Sequence, residues 1–288
     1  MASAYSDAVA GHDPAASTGR ALVRLQAVLA CSGRLVVAFS GGADSALVAA
    51  VATRLLGAEK VLCATAVSAS LAPEDLAHCA RIADEWGLRW TAVTTNELDD
   101  PAYVRNDLDR CYHCKRELMD VLMPLANSEQ ATVVLGVNLD DLNDHRPGQR
   151  AAAERGAAFP LVQAGLDKTM VREVSKALGL STWDRPAAAC LASRVPHGTP
   201  VSLGVLDQVA VAESVLRHLG FGALRVRHYG ELARIELPLK DLDRAIAVRE
   251  AIVAAVRGAG YRYVTLDLEG LRSGNLSAAA AAREGIGR

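Results

Sequence analysis

The chain has 288 residues and a formal net charge of −2, with 51% hydrophobic and 22% charged residues. That length buries one large core or two smaller ones, and the composition excludes a disordered, collagenous or disulfide-scaffold protein. A slightly negative balance gives no general drive towards nucleic acid, and no apolar run is long enough for a bilayer, so neither an RNA binder nor a membrane protein is expected.

Residues 1–18 are rich in Ala, Ser and Asp and lack the basic start and apolar core of a signal peptide. They are expected to be frayed, and the protein to be cytoplasmic. Residues 19–32 place Leu22, Leu25, Val28 and Leu29 at helical spacing. Residues 35–39 are a short, β-branched apolar run and read as a buried strand. Residues 40–45 (SGGADS) form a turn, and 46–56 a helix closed by Gly57. A strand at 60–67, a helix at 73–86 with Pro73 in its first turn and a strand at 88–94 follow. The spacing then predicts a polar loop over 96–110, a helix over 111–125 that opens with CYHC, a strand over 131–137, a second polar loop over 138–149 and an amphipathic helix over 167–178. Such alternation predicts an α/β fold with a doubly wound parallel sheet.

Residues 181–200 carry three prolines and read as a linker that contributes to the site. Beyond it, a helix (205–219), two strands (223–228 and 232–237), a helix (241–258) and a strand (261–268) predict a smaller α+β domain. The expected division is therefore 19–200 and 201–274, with an Ala-rich tail at 275–288 that is either helical or disordered.

A strand, a glycine-rich turn and a helix N-terminus together make a cradle for phosphate, because the glycines let the backbone approach and the free N–H groups favour an anion. The turn lacks both GxGxxG and GK[ST], which excludes the dinucleotide fingerprint and the Walker lysine. SGGADS instead resembles the PP-loop, the pyrophosphate-binding turn of enzymes that cleave ATP to AMP and pyrophosphate. The loop after the fourth strand holds Asn138, Asp140, Asp141, Asp144 and Arg146. Carboxylates there suit Mg²⁺ and an arginine suits phosphate, though a solvated polar loop accounts for them equally well.

Cys31, Cys63 and Cys79 sit in apolar surroundings and read as small buried residues. Cys190 lies in a proline-bounded stretch with Arg194 nearby, which fits either a nucleophilic thiolate or a small residue packed at a domain boundary. Cys111 and Cys114 form C-x-x-C, alone a redox pair, half a zinc site or neither. With Cys190 they make three cysteines, the count for a [4Fe–4S] cluster with one open iron. In RVRHYGELARIEL, Arg225 and Arg227 share one strand face, across the turn from Arg234 and Glu236. Two such arginines form a fork for phosphate, or one solvated face of a sheet.

Taken in order, SGGADS, RCYHCK, LGVNLDD, DHRPGQRAA, the helix with Lys168 and Arg172, RPAAACLASR and RVRHYGELARIE resemble the LarE family of ATP-dependent sulfur transferases over residues 34–268. The resemblance implies that ATP and Mg²⁺ are held by Ser40, Gly41, Gly42, Asp44, Ser45, Gly136, Asn138 and Arg146, with Asp44 and Ser45 also catalytic. It implies that a carboxylate of pyridinium-3,5-biscarboxylic acid mononucleotide is adenylated and then attacked by Cys190. The sulfur would stay on the substrate as a thiocarboxylate, leaving dehydroalanine in the protein. Arg194, Arg225, Arg227 and Glu236 match substrate-binding positions. The resemblance further implies a homo-oligomer and a downstream nickel-inserting enzyme as recipient of the product. A cluster-dependent variant using Cys111, Cys114 and Cys190 is the alternative within the family, and a PP-loop tRNA thiolase the alternative outside it.

Overall fold

The computed structural model describes residues 14–143, 147–185 and 189–272. The tail at 275–288, Asp144 and Arg146 lie outside the described residues. Helix α1 (Pro14–Ala30) begins four residues before the end of the stretch expected to be frayed. Proline is at home in a first helical turn, and Ala15 and Ala16 favour helix, so the start needs no help from the apolar stripe that follows.

Next in order are β1 (Leu35–Ala38), α2 (Ala43–Leu56), β2 (Val61–Val67), α3 (Pro73–Glu85), β3 (Arg89–Thr94), α4 (Pro101–Val104), α5 (Arg110–Glu129) and β4 (Thr132–Leu135). Then come α6 (Pro147–Glu154), α7 (Pro160–Gln163) and α8 (Lys168–Ala177). The segment expected to be a plain loop at 96–110 contains a 3₁₀ turn and α4, whose Asp100 side chain caps the Ala102 N–H and whose Pro101 fixes the first turn. Pro147 and Pro160 likewise start α6 and α7, short helices whose few residues carry no periodic pattern to read.

The first sheet has the order β3-β2-β1-β4. β1 pairs in parallel with β2 and with β4. Alternate β1 residues face opposite layers: Leu35 and Val37 join the core built with α1, α2 and α8, whereas Val36 joins the core built with α5. Helices on both faces make this the doubly wound α/β arrangement that the sequence pattern predicts. The chain winds outward from β1 through β2 to β3 and then returns to place β4 on the other side of β1. That reversal opens a crevice at the carboxyl ends of β1 and β4, where ligands bind in open α/β sheets.

The C-terminal part holds α9 (Leu203–His218), β5 (Arg225–Tyr229), β6 (Leu232–Glu236), α10 (Leu242–Ala247), α11 (Arg249–Gly258) and β7 (Tyr263–Leu266). β6 pairs antiparallel with β5 and in parallel with β7, giving a small mixed sheet. The helix expected over 241–258 is two helices, broken where Val248 leaves helical geometry at φ −107° and ψ 22°. The core of this part gathers Leu216, Phe221, Val226, Ile235, Val256 and Tyr261.

The chain forms two compact units that are interleaved rather than successive. Of the described residues, one comprises those up to 66, 77–93 and 118–185; the other comprises 67–76, 94–117 and those from 189 onward. The boundary expected at residue 200 does not coincide with this division. Tyr103, Leu191, Val195, Val201 and Leu206 share a core, and the Leu191 N–H donates to Ser70 O at 2.8 Å, so early segments are built into the second unit. No helix among the described residues is long and apolar enough to cross a membrane.

Candidate functional site

In the first unit the turn after β1 is shorter than the sequence suggests. Ala43, Asp44 and Ser45 already form the first turn of α2, and Gly42 occupies the N-cap with no side chain capping the helix. The exposed N–H groups there are an anion site by default. Ser45 Oγ accepts from Ser40 N–H at 3.2 Å, lies 3.1 Å from Ser40 Oγ and donates to Gly42 O at 3.3 Å. The motif's two serines thus brace its own loop. Gly41 has φ +67°, and a Cβ on it would lie 2.9 Å from His78 Cδ2 and 3.0 Å from Cys79 Sγ. Both backbone and space demand glycine.

Across the crevice Gly136 follows β4. A Cβ there would lie 2.5 Å from the Ser45 backbone nitrogen. Two residues on, Asn138 Nδ2 donates to Asp44 Oδ1 at 2.9 Å. Asn138 is itself fixed, since its N–H donates to Asp141 Oδ2 and its Oδ1 accepts from Asp141 N–H, each at 3.2 Å. The Asp140 carboxylate caps the Lys168 N–H at 2.8 Å, which ties the start of α8 to the same loop. Ser40, Gly41, Gly42, Asp44, Ser45, Gly136 and Asn138 are therefore gathered around one strand end.

A cavity of about 110 Å³ lies over this end, with Ser40, Gly42, Asp44 and Ser45 on one side and Lys168, Arg172 and Arg185 on the other. Three cations facing an uncapped helix N-terminus suit a polyanion such as a nucleotide phosphate chain. Lys168 and Arg172 stand in a stretch that carries the family resemblance. Arg185 opens RPAAACLASR, another stretch that carries the resemblance, but no role was read for it from sequence.

Burial raises the Asp44 pKa above the ordinary carboxylate value of 3.8; the Asn138 hydrogen bond and Lys168 oppose the shift, and Asp141 adds to it. A raised pKa in the folded protein means that this group's stabilisation is complete below the unfolded value and is lost as pH rises through the folded value. Asp44→Asn keeps the acceptor for Asn138 but carries no charge. It is expected to raise the melting temperature at pH 7 and to match the wild type near pH 3, while losing ATP turnover. A variant less stable than wild type at pH 7 would show that the carboxylate's charge holds the loop together.

In the second unit Cys190 is exposed and caps a one-turn 3₁₀ helix, Leu191–Arg194. Arg194, expected to bind substrate, is 7% exposed and forms a bidentate pair with Glu213, Nε to Oε1 at 2.8 Å and Nη2 to Oε2 at 3.1 Å. Arg227, 3% exposed, forms the same arrangement with Glu236, both bonds at 2.9 Å. Arg225 differs. It is half-buried and donates to Arg272 O at 2.8 Å, and burial together with the like charges of Arg227 and Arg194 pushes its pKa down. An anion beside Arg225 would relieve that repulsion.

Glu213 was not foreseen, although its position carries a signal. It falls on the stripe Leu206, Val209, Ala212, Leu216 of α9, and an acid on a buried stripe must have a partner. Arg110 opens RCYHCK, but no role was read for it there. It is 5% exposed, pairs with Asn106 Oδ1, donates to Ala192 O at 2.9 Å, and has the thiols of Cys190 and Cys111 among its ionisable neighbours.

Cys111 is exposed, and Cys114 is partly buried with its Sγ donating to Glu97 Oε1 at 3.8 Å. Burial pushes the Cys114 thiol up to about 12, with Lys115 opposing. Among the described residues no group of three or more His, Cys, Asp or Glu side chains is placed to hold a metal ion. The described arrangement lends no support to a [4Fe–4S] cluster on Cys111, Cys114 and Cys190.

The comparisons with known proteins agree with this geometry. A family model described as NAD synthase matches residues 24–140, the stretch from α1 through β1 to the loop after β4. An uncharacterised protein of Synechocystis is 44% identical over 247 residues, covering 85% of this chain and 92% of that one. The pyridinium-3,5-bisthiocarboxylic acid mononucleotide synthase of Lactiplantibacillus plantarum is 37% identical over 245 residues, covering 85% and 89% respectively. An uncharacterised protein of Methanocaldococcus jannaschii is 28% identical over 241 residues, 83% of this chain and 91% of its own. With the braced phosphate turn, the cation-lined cavity and near-complete coverage in hand, the chain belongs to the family of the pyridinium-3,5-bisthiocarboxylic acid mononucleotide synthases, the LarE family.

Proposed function

We propose that this protein is an ATP-dependent sulfur transferase that converts the carboxylates of a pyridinium-3,5-biscarboxylic acid mononucleotide to thiocarboxylates. The observation that carries the reading is the cavity at the α2 N-terminus, where Lys168, Arg172 and Arg185 face the SGGADS turn. Mg-ATP is the substrate there, and Asp44 is the carboxylate lining its place. The substrate carboxylate attacks the α-phosphorus, an acyl-adenylate forms and pyrophosphate leaves. The N–H groups of the turn and the three cations take up the charge that develops on the leaving group. Asn138 orients Asp44 for this step.

The adenylate makes the carboxyl carbon electrophilic. The Cys190 thiolate adds to it and AMP departs, leaving a thioester. Loss of the Cys190 Cα proton and cleavage of its Cβ–S bond then give a thiocarboxylate and dehydroalanine. Arg225 is the residue left open for the phosphate of the mononucleotide. The product would pass to a nickel-inserting enzyme, and the resemblance favours a homo-oligomer.

The test is pyrophosphate release from Mg-ATP with the pyridinium dicarboxylate mononucleotide, with tRNA and with no second substrate, followed by intact mass. Release with the mononucleotide and loss of one H₂S from the chain are expected. Release only with tRNA, or equally without any acceptor, would overturn the reading.

A further inference from the structure

Three arginines converge on the backbone of the turn that carries Cys190, and each reaches it through a carbonyl oxygen. Arg194 Nη1 donates to Ala189 O at 2.6 Å and to Cys190 O at 3.2 Å. Arg110 Nη1 donates to Ala192 O at 2.9 Å. Arg227 Nη1 donates to Ser193 O at 2.8 Å. Four of the five carbonyls of residues 189–193 are thus held by guanidinium groups. Besides the bonds inside the one-turn helix, Ser193 N–H donates to Cys190 O at 2.9 Å and Val195 N–H to Ala192 O at 3.2 Å. One helical turn is too short to fix itself, because nucleation spends several dihedral angles on a single bond.

The arginines are themselves anchored. Glu213 and Glu236, both 0% exposed, hold Arg194 and Arg227 in bidentate pairs, and Glu213 also accepts the Val226 N–H at 3.1 Å. Asn106, also 0% exposed, holds Arg110 through Oδ1 while its Nδ2 donates to Pro196 O and Thr199 O, each at 2.8 Å. Buried ion pairs are poor devices for stability, since packed hydrophobic residues of similar volume do as well or better. What they supply is direction. A bidentate pair fixes the guanidinium plane, and the Nη1 N–H groups left over then point at the turn's carbonyls.

We infer that Arg110, Arg194 and Arg227 are positioning residues for Cys190, a clamp that fixes the orientation of its thiol by gripping the carbonyls of residues 189–193. The inference rests on the sulfur-transfer reading for its consequence, though not for its geometry. It assigns Arg110 a role that no sequence motif indicated. It also gives Arg194 and Arg227 a task distinct from contacting substrate, leaving that contact to Arg225. A misplacement of about 1 Å at a reacting atom costs on the order of a hundredfold in rate, which is the scale the clamp protects.

The test replaces one buried pair by apolar residues of similar size, Arg227→Met with Glu236→Leu; Arg234, which also pairs with Glu236 at 2.9 Å, is 31% exposed and keeps Asp267 at 3.4 Å. Arg110→Met is made separately. Amide hydrogen exchange at residues 191–195 is read on the full chain without substrate, alongside the melting temperature. Single-turnover kinetics with the pyridinium mononucleotide then separate rate from half-saturation. A clamp predicts an unchanged melting temperature for the double variant, exchange at the turn at least about tenfold faster, a transfer rate about a hundredfold lower and half-saturation within about twofold. Unchanged exchange at the turn in both variants would overturn the proposal. So would a half-saturation constant at least tenfold higher with an unchanged transfer rate, the signature of a substrate ligand. If the wild type does not use the mononucleotide, the functional reading fails while the exchange measurement still decides the clamp.

Discussion

Replacing Cys190 by alanine is expected to abolish thiocarboxylate formation while pyrophosphate release stays within about threefold of wild type. The two half-reactions use different chemistry. In the proposed mechanism adenylation uses the phosphate turn and its facing cations, whereas sulfur transfer uses a thiol whose Cβ–S bond is broken. Cys190 is exposed and caps its short helix with no side-chain hydrogen bond, so its loss removes a nucleophile without opening a cavity or orphaning a donor. Pyrophosphate release and product thiocarboxylate are measured on the same sample, with intact mass before and after one anaerobic turnover. Persistence of product in the variant would place the sulfur elsewhere, and Cys111, exposed and close in sequence to Arg110, would be the next thiol to replace. Collapse of both half-reactions together would make Cys190 a structural residue.

The second large effect is expected at Gly136, which lines the proposed ATP cavity. An added Cβ would stand 2.5 Å from Ser45 N, 2.7 Å from Asp44 C and 2.8 Å from Ser45 Cα. All three are backbone atoms, so no rotamer change relieves the clash and the first turn of α2 must move away from β4. Overpacking of this kind costs about 1–3 kcal/mol of stability. A displaced helix start also moves the N–H groups that receive phosphate and separates Asp44 from Asn138. Gly136→Ala is therefore expected to lower the melting temperature by several degrees and ATP-dependent pyrophosphate release by about a hundredfold. Activity within twofold of wild type would show that the approach of β4 to α2 is not what sets the phosphate turn.

The clamp and the phosphate turn share one physical idea. In both, a short irregular stretch of backbone bears the chemistry, and packed elements hold it from outside. At the turn the means are steric, Gly41 under His78 and Gly136 under Ser45. Around Cys190 they are polar, guanidinium groups on carbonyls. The choice follows from what each turn must present: free N–H groups for an anion in the first, and a sulfur atom with its backbone acceptors already occupied in the second.

The sequence by itself determined the parallel α/β unit, because alternating buried strands and amphipathic helices have one stable layering. It also determined the phosphate turn, because Ser40, Gly41, Gly42, Asp44 and Ser45 are adjacent and their geometry is local. Cys190 as the thiol in question was legible from the family resemblance rather than from its neighbours. What only the tertiary structure decided lies between segments distant in the chain. Arg110 meets Ala192 across 82 positions, and Asn138 meets Asp44 across 94. No periodicity or spacing encodes such a meeting. Arg225 and Arg227, identical by alternation on one strand face, part company because Arg227 faces Ser193 and Glu236, whereas Arg225 reaches Arg272 O. A period of two places a side chain on a face; burial and partners decide what it does there.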